Sequence, residues 1–253
     1  MNQKSSFAGK NVLVTGASRG IGRAIAEMFL AAGANVTICA RKPEGIKQAL
    51  AELTEFENQL HAVTANVSSD SDLERLAEEA ENRFGPTHVL VNNAATNPYF
   101  GPIAESFTDA WDKTFAVNVR SPYLLSKLIG AGMTDRRSGS IINIASVAGL
   151  EATPNMGIYS VSKAALIMLT KNLAREWGEH RVRVNCVCPG LIRTEMSEVL
   201  WAHPQQFSSI LDRTAVRRIG LPDEIASAVS YFASDESSFT TGAVLQVDGG
   251  FTS

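Results

Sequence analysis

The chain reads as one doubly wound α/β domain, a seven-stranded parallel sheet with helices on both faces. Two observations lead there. Short apolar runs bounded by turn residues alternate with longer stretches of helical periodicity from one end to the other. No repeat, low-complexity segment or Pro/Ser/Gly linker divides the 253 residues, a length that can bury one large core. Composition agrees: 45% of residues are hydrophobic and 19% charged, below the roughly 25% charged usual for soluble domains. The shortfall implies hidden surface, in a sheet covered on both sides or in a subunit contact.

Taken in order, residues 11–15 (NVLVT) make a buried strand, and 20–32 a helix with Ile21, Ile25, Met28 and Phe29 on one stripe. Residues 35–39 and 61–64 are strands either side of a helix over 45–57. An amphipathic helix over 70–84 turns Leu73, Leu76, Ala77 and Ala80 inward, and 88–91 (HVLV) is the fourth strand. One long helix is expected over 110–134, then strand 140–145, helix 158–178, strand 182–187, helix 222–234 and strand 243–247. Right-handed crossovers leave the doubly wound arrangement as the economical topology. Residues 191–216 fit the alternation worst, carrying Met196, Leu200, Trp201 and Phe207 among polar residues, and read as an inserted substrate lid within the single domain 1–253.

Charge and cysteine content exclude several classes. Acids outnumber bases 26 to 23, whereas a nucleic-acid partner demands a basic face. No run of about 18 apolar residues is present to span a membrane, and residues 1–10 lack the apolar centre of a signal peptide. Cys39, Cys186 and Cys188 lie in apolar runs, as buried thiols of a reducing compartment do. His61, His88, His180 and His203 are scattered without ligand spacing, so no metal site is expected.

The first strand runs into Thr15-Gly16-Ala17-Ser18-Arg19-Gly20-Ile21-Gly22. Strand, glycine turn and helix together make a phosphate site: glycines let backbone approach a pyrophosphate, and the helix N-terminus offers free N–H groups and positive dipole. The spacing is G-x-x-x-G-x-G rather than the standard G-x-G-x-x-G. At the end of the second strand, where an NAD site carries an acid for the ribose hydroxyls, stand Ala40 and Arg41. With Arg19 in the turn, two guanidiniums near one ribose suit a 2′-phosphate, and NADP(H) is the expected cofactor. The alternative for Arg41 and Lys42 is a solvated loop.

Tyr159 and Lys163 stand four apart on one helix face. A phenol has a pKa near 10 and works poorly at neutral pH unless a positive charge lowers it. The spacing alone is weak, because Tyr123 and Lys127 repeat it. Context separates them: Ser146 precedes Tyr159 by thirteen residues at the end of strand IINIAS, whereas Ala110 stands thirteen before Tyr123. Ligands of doubly wound sheets lie beyond the strands' carboxyl ends. Ser146, Tyr159 and Lys163 are therefore read as catalytic, and Tyr123 and Lys127 as helix surface or subunit contact.

These motifs resemble the short-chain dehydrogenase/reductases of about 250 residues, over nearly the whole chain. The matching pieces are T-G-A-S-R-G-I-G at 15–22, Asn66-Val67, N-N-A-A at 92–95, Asn118, Ser146, Tyr159 with Lys163, and P-G-L-I-R-T at 189–194. Within the family the chain looks most like NADP-dependent carbonyl reductases of the peroxisomal kind, with 3-oxoacyl-[acyl carrier protein] reductases next. Two positions depart: Asn66 stands where many relatives have Asp, and Ala95 where N-N-A-G is commoner. The C-terminus, Phe251-Thr252-Ser253, lacks an S-K-L address, and a cytoplasmic location is expected.

The resemblance implies hydride transfer between a nicotinamide and a carbonyl carbon. Tyr159 would be general acid/base, Ser146 would hold the carbonyl oxygen, Lys163 would bind ribose and lower the tyrosine pKa, and Asn118 would hold a relay water. The alternative for Asn118 is a polar residue bonding backbone. Cofactor contacts fall on Gly16, Ser18, Arg19, Gly20, Ile21, Gly22, Arg41, Asn66, Val67, Asn93, Ala94, Ala95, Tyr159, Lys163, Pro189, Gly190, Ile192 and Thr194. The substrate pocket is expected to include Tyr99, Phe100, Ala148, Leu150, Met156, Met196 and Trp201, and so to favour ketones or aldehydes with alkyl or aromatic groups. Trp201 and Phe207 could instead pack at a subunit contact. Two other readings stand beside this one: a 3-oxoacyl-carrier reductase, with Arg136, Arg137 and Arg193 as its basic patch, and a non-catalytic NADP(H) sensor. Family members of this kind are usually homotetramers.

Overall fold

The structure, a computed structural model, describes residues 7–202 and 204–253 and the side chains of all of these but 205 and 206; His203 lies outside the described residues. Seven parallel strands form one sheet in the order β3-β2-β1-β4-β5-β6-β7: β1 (Asn11–Thr15), β2 (Asn35–Ala40), β3 (Leu60–Thr64), β4 (Val89–Asn92), β5 (Gly139–Ile144), β6 (Val182–Pro189) and β7 (Val244–Val247). The main helices are α1 (Gly20–Ala31), α2 (Pro43–Glu52), α3 (Asp70–Phe84), α4 (Thr108–Phe115), α5 (Ser121–Asp135), α6 (Gly157–Trp177), α7 (Glu198–Trp201), α8 (Pro204–Arg213) and α9 (Pro222–Ala233).

The strands are apolar on both faces because both faces are covered. In β1, Val12 and Val14 pack with Ile25 and Phe29 of α1 and Ile225, Val229 and Phe232 of α9. Leu13 points the other way, to Leu73 and Leu76 of α3, Leu125 and Ile129 of α5 and Leu173 of α6. Each large apolar side chain so buried is worth about 1.5–3 kcal/mol, and the two clusters clamp the sheet between helical layers. Local signals agree with this packing. Ser69 caps α3 by accepting from the Asp72 N–H at 3.3 Å, and Gly85 ends it at φ +84°.

Strand order reverses between β1 and β4, which opens a crevice at their carboxyl ends. The expected helix over 110–134 is not one regular helix. Residues Ala116–Arg120 between α4 and α5 form a π-type turn. Pro122 has no N–H to give the carbonyl four residues before it, that of Asn118, so the helix widens there instead of continuing. Residues 191–216, which fit the alternation worst in sequence, include a 3-10 turn and the short helices α7 and α8.

Candidate active site

One cleft of about 1570 Å³ runs across the carboxyl ends of the strands. It exceeds the roughly 300–1,000 Å³ of a typical small-molecule site, and has room for a dinucleotide and a substrate side by side. Its floor begins at the glycine turn. Asn93 braces that turn, its Nδ2 donating to Thr15 O at 2.8 Å and Gly16 O at 3.0 Å. Thr15 Oγ1 accepts from the N–H groups of Asn93 and Ala94, both at 3.0 Å. The approach is too close for side chains: a Cβ on Gly22 would lie 2.4 Å from Asn93 Nδ2 and 2.5 Å from Gly16 O. A Cβ on Gly16, whose φ is +64°, would lie 2.8 Å from Ala94 Cα.

Helix α1 begins without a side-chain cap and with no acid in its first turn. Its orphan N–H groups and positive dipole end face the cleft, the arrangement that receives a phosphate. Arg41 lines the cleft at the end of β2 and makes no ion pair among the described residues. Arg19 lines it too, and pairs across it with Glu195. The residues of the turn thus fit a phosphorylated dinucleotide: a cradle only glycine can form, an uncapped helix end and a guanidinium without a partner.

The catalytic candidates converge at the end of β5. Ser146 follows the strand, and Tyr159 and Lys163 come from the first turns of α6. Tyr159 is partly open to the cleft and Lys163 is buried. The Lys163 ammonium donates to Ile144 O at 2.8 Å and lies 5.6 Å from the centre of the Tyr159 ring. Burial pushes its pKa down to about 8. Burial likewise pushes the Tyr159 phenol up to about 12, against a smaller downward pull from its hydrogen bond with Ser146. The spacing of Tyr159 and Lys163 leads to the expectation that the ammonium lowers the phenol pKa. In this geometry desolvation dominates, and the ammonium is held by the strand carbonyl and makes no hydrogen bond to the phenol.

Asn118 sits in the π turn, fully buried. Its Oδ1 accepts from Thr96 N–H at 2.9 Å, and Nδ2 donates to Thr96 O and Ser162 Oγ, each at 3.0 Å. Both amide hydrogens are therefore engaged with protein, one with backbone and one with a side chain. Ser162 was missed in the sequence; only its place one residue before Lys163 hinted at it.

The other expected positions divide. Ser18, Gly20, Ile21, Asn66, Val67, Ala94, Ala95, Pro189, Gly190, Ile192 and Thr194 all line the cleft, as do Phe100, Ala148, Met156 and Met196. Tyr99, Leu150 and Trp201 are not among the lining residues. Tyr99 turns its hydroxyl to Pro102 O at 2.9 Å and packs edge-on against Phe107. Leu150 is exposed. Trp201 donates its indole N–H to Ser197 Oγ at 3.2 Å and carries the Arg193 guanidinium over its ring. Residues from distant segments complete the wall: Lys113, Arg213 and Phe251. Arg213 stacks on Phe251 at 4.1 Å and pairs with Glu151 at 2.8 Å. No local pattern announces Lys113 and Phe251, which come from different elements, whereas Arg213 falls within the expected lid, 191–216.

Arg136 and Arg137, considered as a basic patch beside the cleft, are elsewhere. They precede β5 and bond the carbonyls of Thr87 and Glu179 at the amino ends of the strands, the far side of the sheet. Tyr123 and Lys127 are exposed on α5, outside the cleft. No cluster of three or more His, Cys, Asp or Glu capable of holding a metal occurs among the described residues, and none of their helices is long and apolar enough to cross a membrane.

Comparison with known proteins supplies the family. A family profile described as "Enoyl-(Acyl carrier protein) reductase" matches residues 16–252. Dehydrogenase/reductase SDR family member 4 of Homo sapiens is 37% identical over 99% of this chain and 90% of its own length. Its Bos taurus counterpart is 39% identical over the same shares. Among solved structures, a putative gluconate dehydrogenase from Agrobacterium tumefaciens superposes with a TM-score of 0.94 at 29% identity, covering 100% of this chain and 99% of that one. A putative short-chain alcohol dehydrogenase from Sinorhizobium meliloti gives 0.93 at 30% identity, over 98% of each chain. The glycine cradle and the Ser146–Tyr159–Lys163 cluster thus lie in a chain similar over its full length to such oxidoreductases, and the protein belongs to the short-chain dehydrogenase/reductase family, whose members use nicotinamide cofactors.

Proposed function

We propose that the protein is an NADP(H)-dependent carbonyl reductase that interconverts ketones or aldehydes and alcohols. The observation that carries this reading is the meeting of Ser146, Tyr159 and Lys163 with the glycine cradle in one cleft. When bound, the nicotinamide supplies the hydride in reduction and takes it in oxidation. The chain's own residues do the rest. Gly16, Ser18, Gly20, Ile21 and Gly22 with the α1 N-terminus would hold the pyrophosphate. Arg19 and Arg41 would take the 2′-phosphate, Asn66 and Val67 the base, and Asn93, Ala94 and Ala95 the middle of the groove. Lys163 would hold the nicotinamide ribose, and Pro189, Gly190, Ile192 and Thr194 the carboxamide end.

Ser146 donates a hydrogen bond to the substrate oxygen and stabilises the charge that gathers there. Tyr159, a phenol at neutral pH, gives its proton to the same oxygen as general acid, and takes it back in oxidation. Lys163, with a pKa close to neutrality, can resupply that proton. A relay water beyond Lys163 falls to the Asn118 main-chain carbonyl, since both side-chain amide hydrogens are engaged.

Phe100, Ala148, Met156 and Met196 make the substrate end largely apolar, which favours ketones and aldehydes with alkyl or aromatic groups. Residues 191–216 act as its lid, fastened to the glycine turn by Arg19–Glu195 and to the loop after β5 by Arg213–Glu151. The exposed Phe107, Trp111 and Tyr123 around α4 and α5, and Val161 and Met168 on α6, support a homotetramer paired through these helices. We place the enzyme in the cytoplasm, its three cysteines being buried and unpaired.

The test is loss of NADPH absorbance with a panel of alkyl and aryl ketones and an acetoacetyl thioester, run in parallel with NADH. Turnover of apolar ketones with NADPH preferred is expected. Tight binding without turnover would make the protein a sensor. Turnover of the thioester alone would make it an acyl-carrier reductase. Equal efficiency with NADH would overturn the roles of Arg19 and Arg41.

A further inference from the structure

We propose that the protein reads the cofactor's base through a hydrogen-bond donor, the Asn66 amide, and therefore accepts hypoxanthine in place of adenine. The inference rests on the reading that this cleft binds a nicotinamide dinucleotide. With the pyrophosphate at the turn after β1 and the ribose at the end of β2, the base falls beyond the end of β3, the next strand outward. The chain leaving β3 lines the same cleft with Ala65, Asn66 and Val67.

The orientation of the Asn66 amide follows from its neighbours rather than from its own shape. Ser68 N–H, which can only donate, reaches Oδ1 at 3.3 Å. Ser68 Oγ lies 2.8 Å from the same oxygen. That hydroxyl accepts from the Lys113 ammonium at 2.9 Å, and an ammonium has no lone pair, so the hydroxyl's own proton is free for Oδ1. The bonds thus run one way, from Lys113 through Ser68 to Asn66 Oδ1. The Asn66 backbone N–H is engaged as well, donating to Asp72 Oδ2 at 2.7 Å. Nδ2 has no hydrogen-bond partner among the described residues, and it is the group Asn66 has left to offer a ligand.

An aspartate at this position could only accept, and would select the adenine N6 amino group. Nδ2 can only donate. It can bond adenine at N1, but it gains nothing from the amino group. In hypoxanthine the amino group is replaced by a carbonyl oxygen, which accepts from Nδ2 directly, while N1 gains a hydrogen and no longer accepts, so one acceptor for Nδ2 takes the place of another. The chain should therefore bind the deaminated dinucleotide about as well as the natural one.

The test compares dissociation constants of NADP and its hypoxanthine analogue, by titration of the full-length protein, for wild type, Asn66→Asp and Asn66→Ala. Expected are a wild-type ratio (analogue to natural) below about 5, an increase of that ratio by at least about 5-fold in Asn66→Asp, and weaker binding of both forms in Asn66→Ala. A wild-type ratio of about 5 or more overturns the proposal, as does a ratio unmoved by Asn66→Asp. Should that variant not fold, the wild-type ratio and Asn66→Ala decide, and unweakened binding in the latter overturns it. Failure of wild type to bind NADP at all would instead sink the functional reading; a wrong ratio with normal NADP binding sinks only this inference.

Discussion

Replacing Lys163 with methionine removes a buried ammonium while keeping most of the side chain's volume. The lysine's pKa is depressed from 10.5 to about 8 by burial, so the folded state gives up its proton before the unfolded chain does. Between pH 8 and 10.5 the unfolded chain binds the extra proton, and stability rises with pH across that window. Below pH 8 both states are charged, and the folded state bears the full cost, about 3 kcal/mol at pH 7 for a shift of this size. By pH 9.5 the cost falls to about 1 kcal/mol. The assay is urea unfolding of wild type and Lys163→Met at equal protein concentration at pH 7, 8, 9 and 9.5. Subtracting the two curves cancels the titrating groups that do not feel the Lys163 charge, which leaves Cys186 and Cys188 as its coupled neighbours. The mutant's stability relative to wild type should fall by about 2 kcal/mol from pH 7 to 9.5. A difference that stays constant within about 0.5 kcal/mol over that range would refute the claim that Lys163 is held desolvated.

Three further outcomes follow from the geometry. Arg41→Ala should weaken NADPH binding by about 10- to 100-fold, the worth of charge-assisted hydrogen bonds, and leave NADH binding unchanged in the same fluorescence titration. Gly22→Ala drives a methyl into Asn93 Nδ2 and Gly16 O, so the cofactor should bind at least about 10-fold more weakly in a chain whose circular dichroism is unaltered. Asn118→Ala leaves the Thr96 N–H and C=O and the Ser162 hydroxyl without their partner. It should cost about 2–4 kcal/mol in urea unfolding.

The strands and most helices were legible because one physical demand, burial on both faces of a sheet, writes long apolar runs and regular stripes into the chain. The comparison of Tyr159 with Tyr123 shows where that legibility stopped. Spacing was the same for both, and only the placement of Ser146 at a strand end told them apart. The break in the long helix was hidden because residues 110–134 keep their helical periodicity through the π turn; Pro122 was its only sign. The substrate wall is the least legible part. Tyr99 and Trp201 are the aromatic residues a pocket would want, but each has a hydrogen-bond partner of its own that draws it aside. Arg213 and Phe251 meet across 38 positions of sequence. The buried ladder from Asn92 through Asn143 to Thr170, at 2.8 Å per bond, likewise links β4, β5 and α6 through residues that no local pattern joins.

The central claim is that Tyr159 delivers the proton in carbonyl reduction. Its most direct measurement is the turnover of Tyr159→Phe with NADPH and a good ketone substrate, alongside titration of the same variant with NADPH. Expected are cofactor affinity within about 3-fold of wild type and turnover lower by at least about 100-fold, the worth of a positioned general acid. Turnover near the wild-type rate, with the cofactor bound, would contradict it.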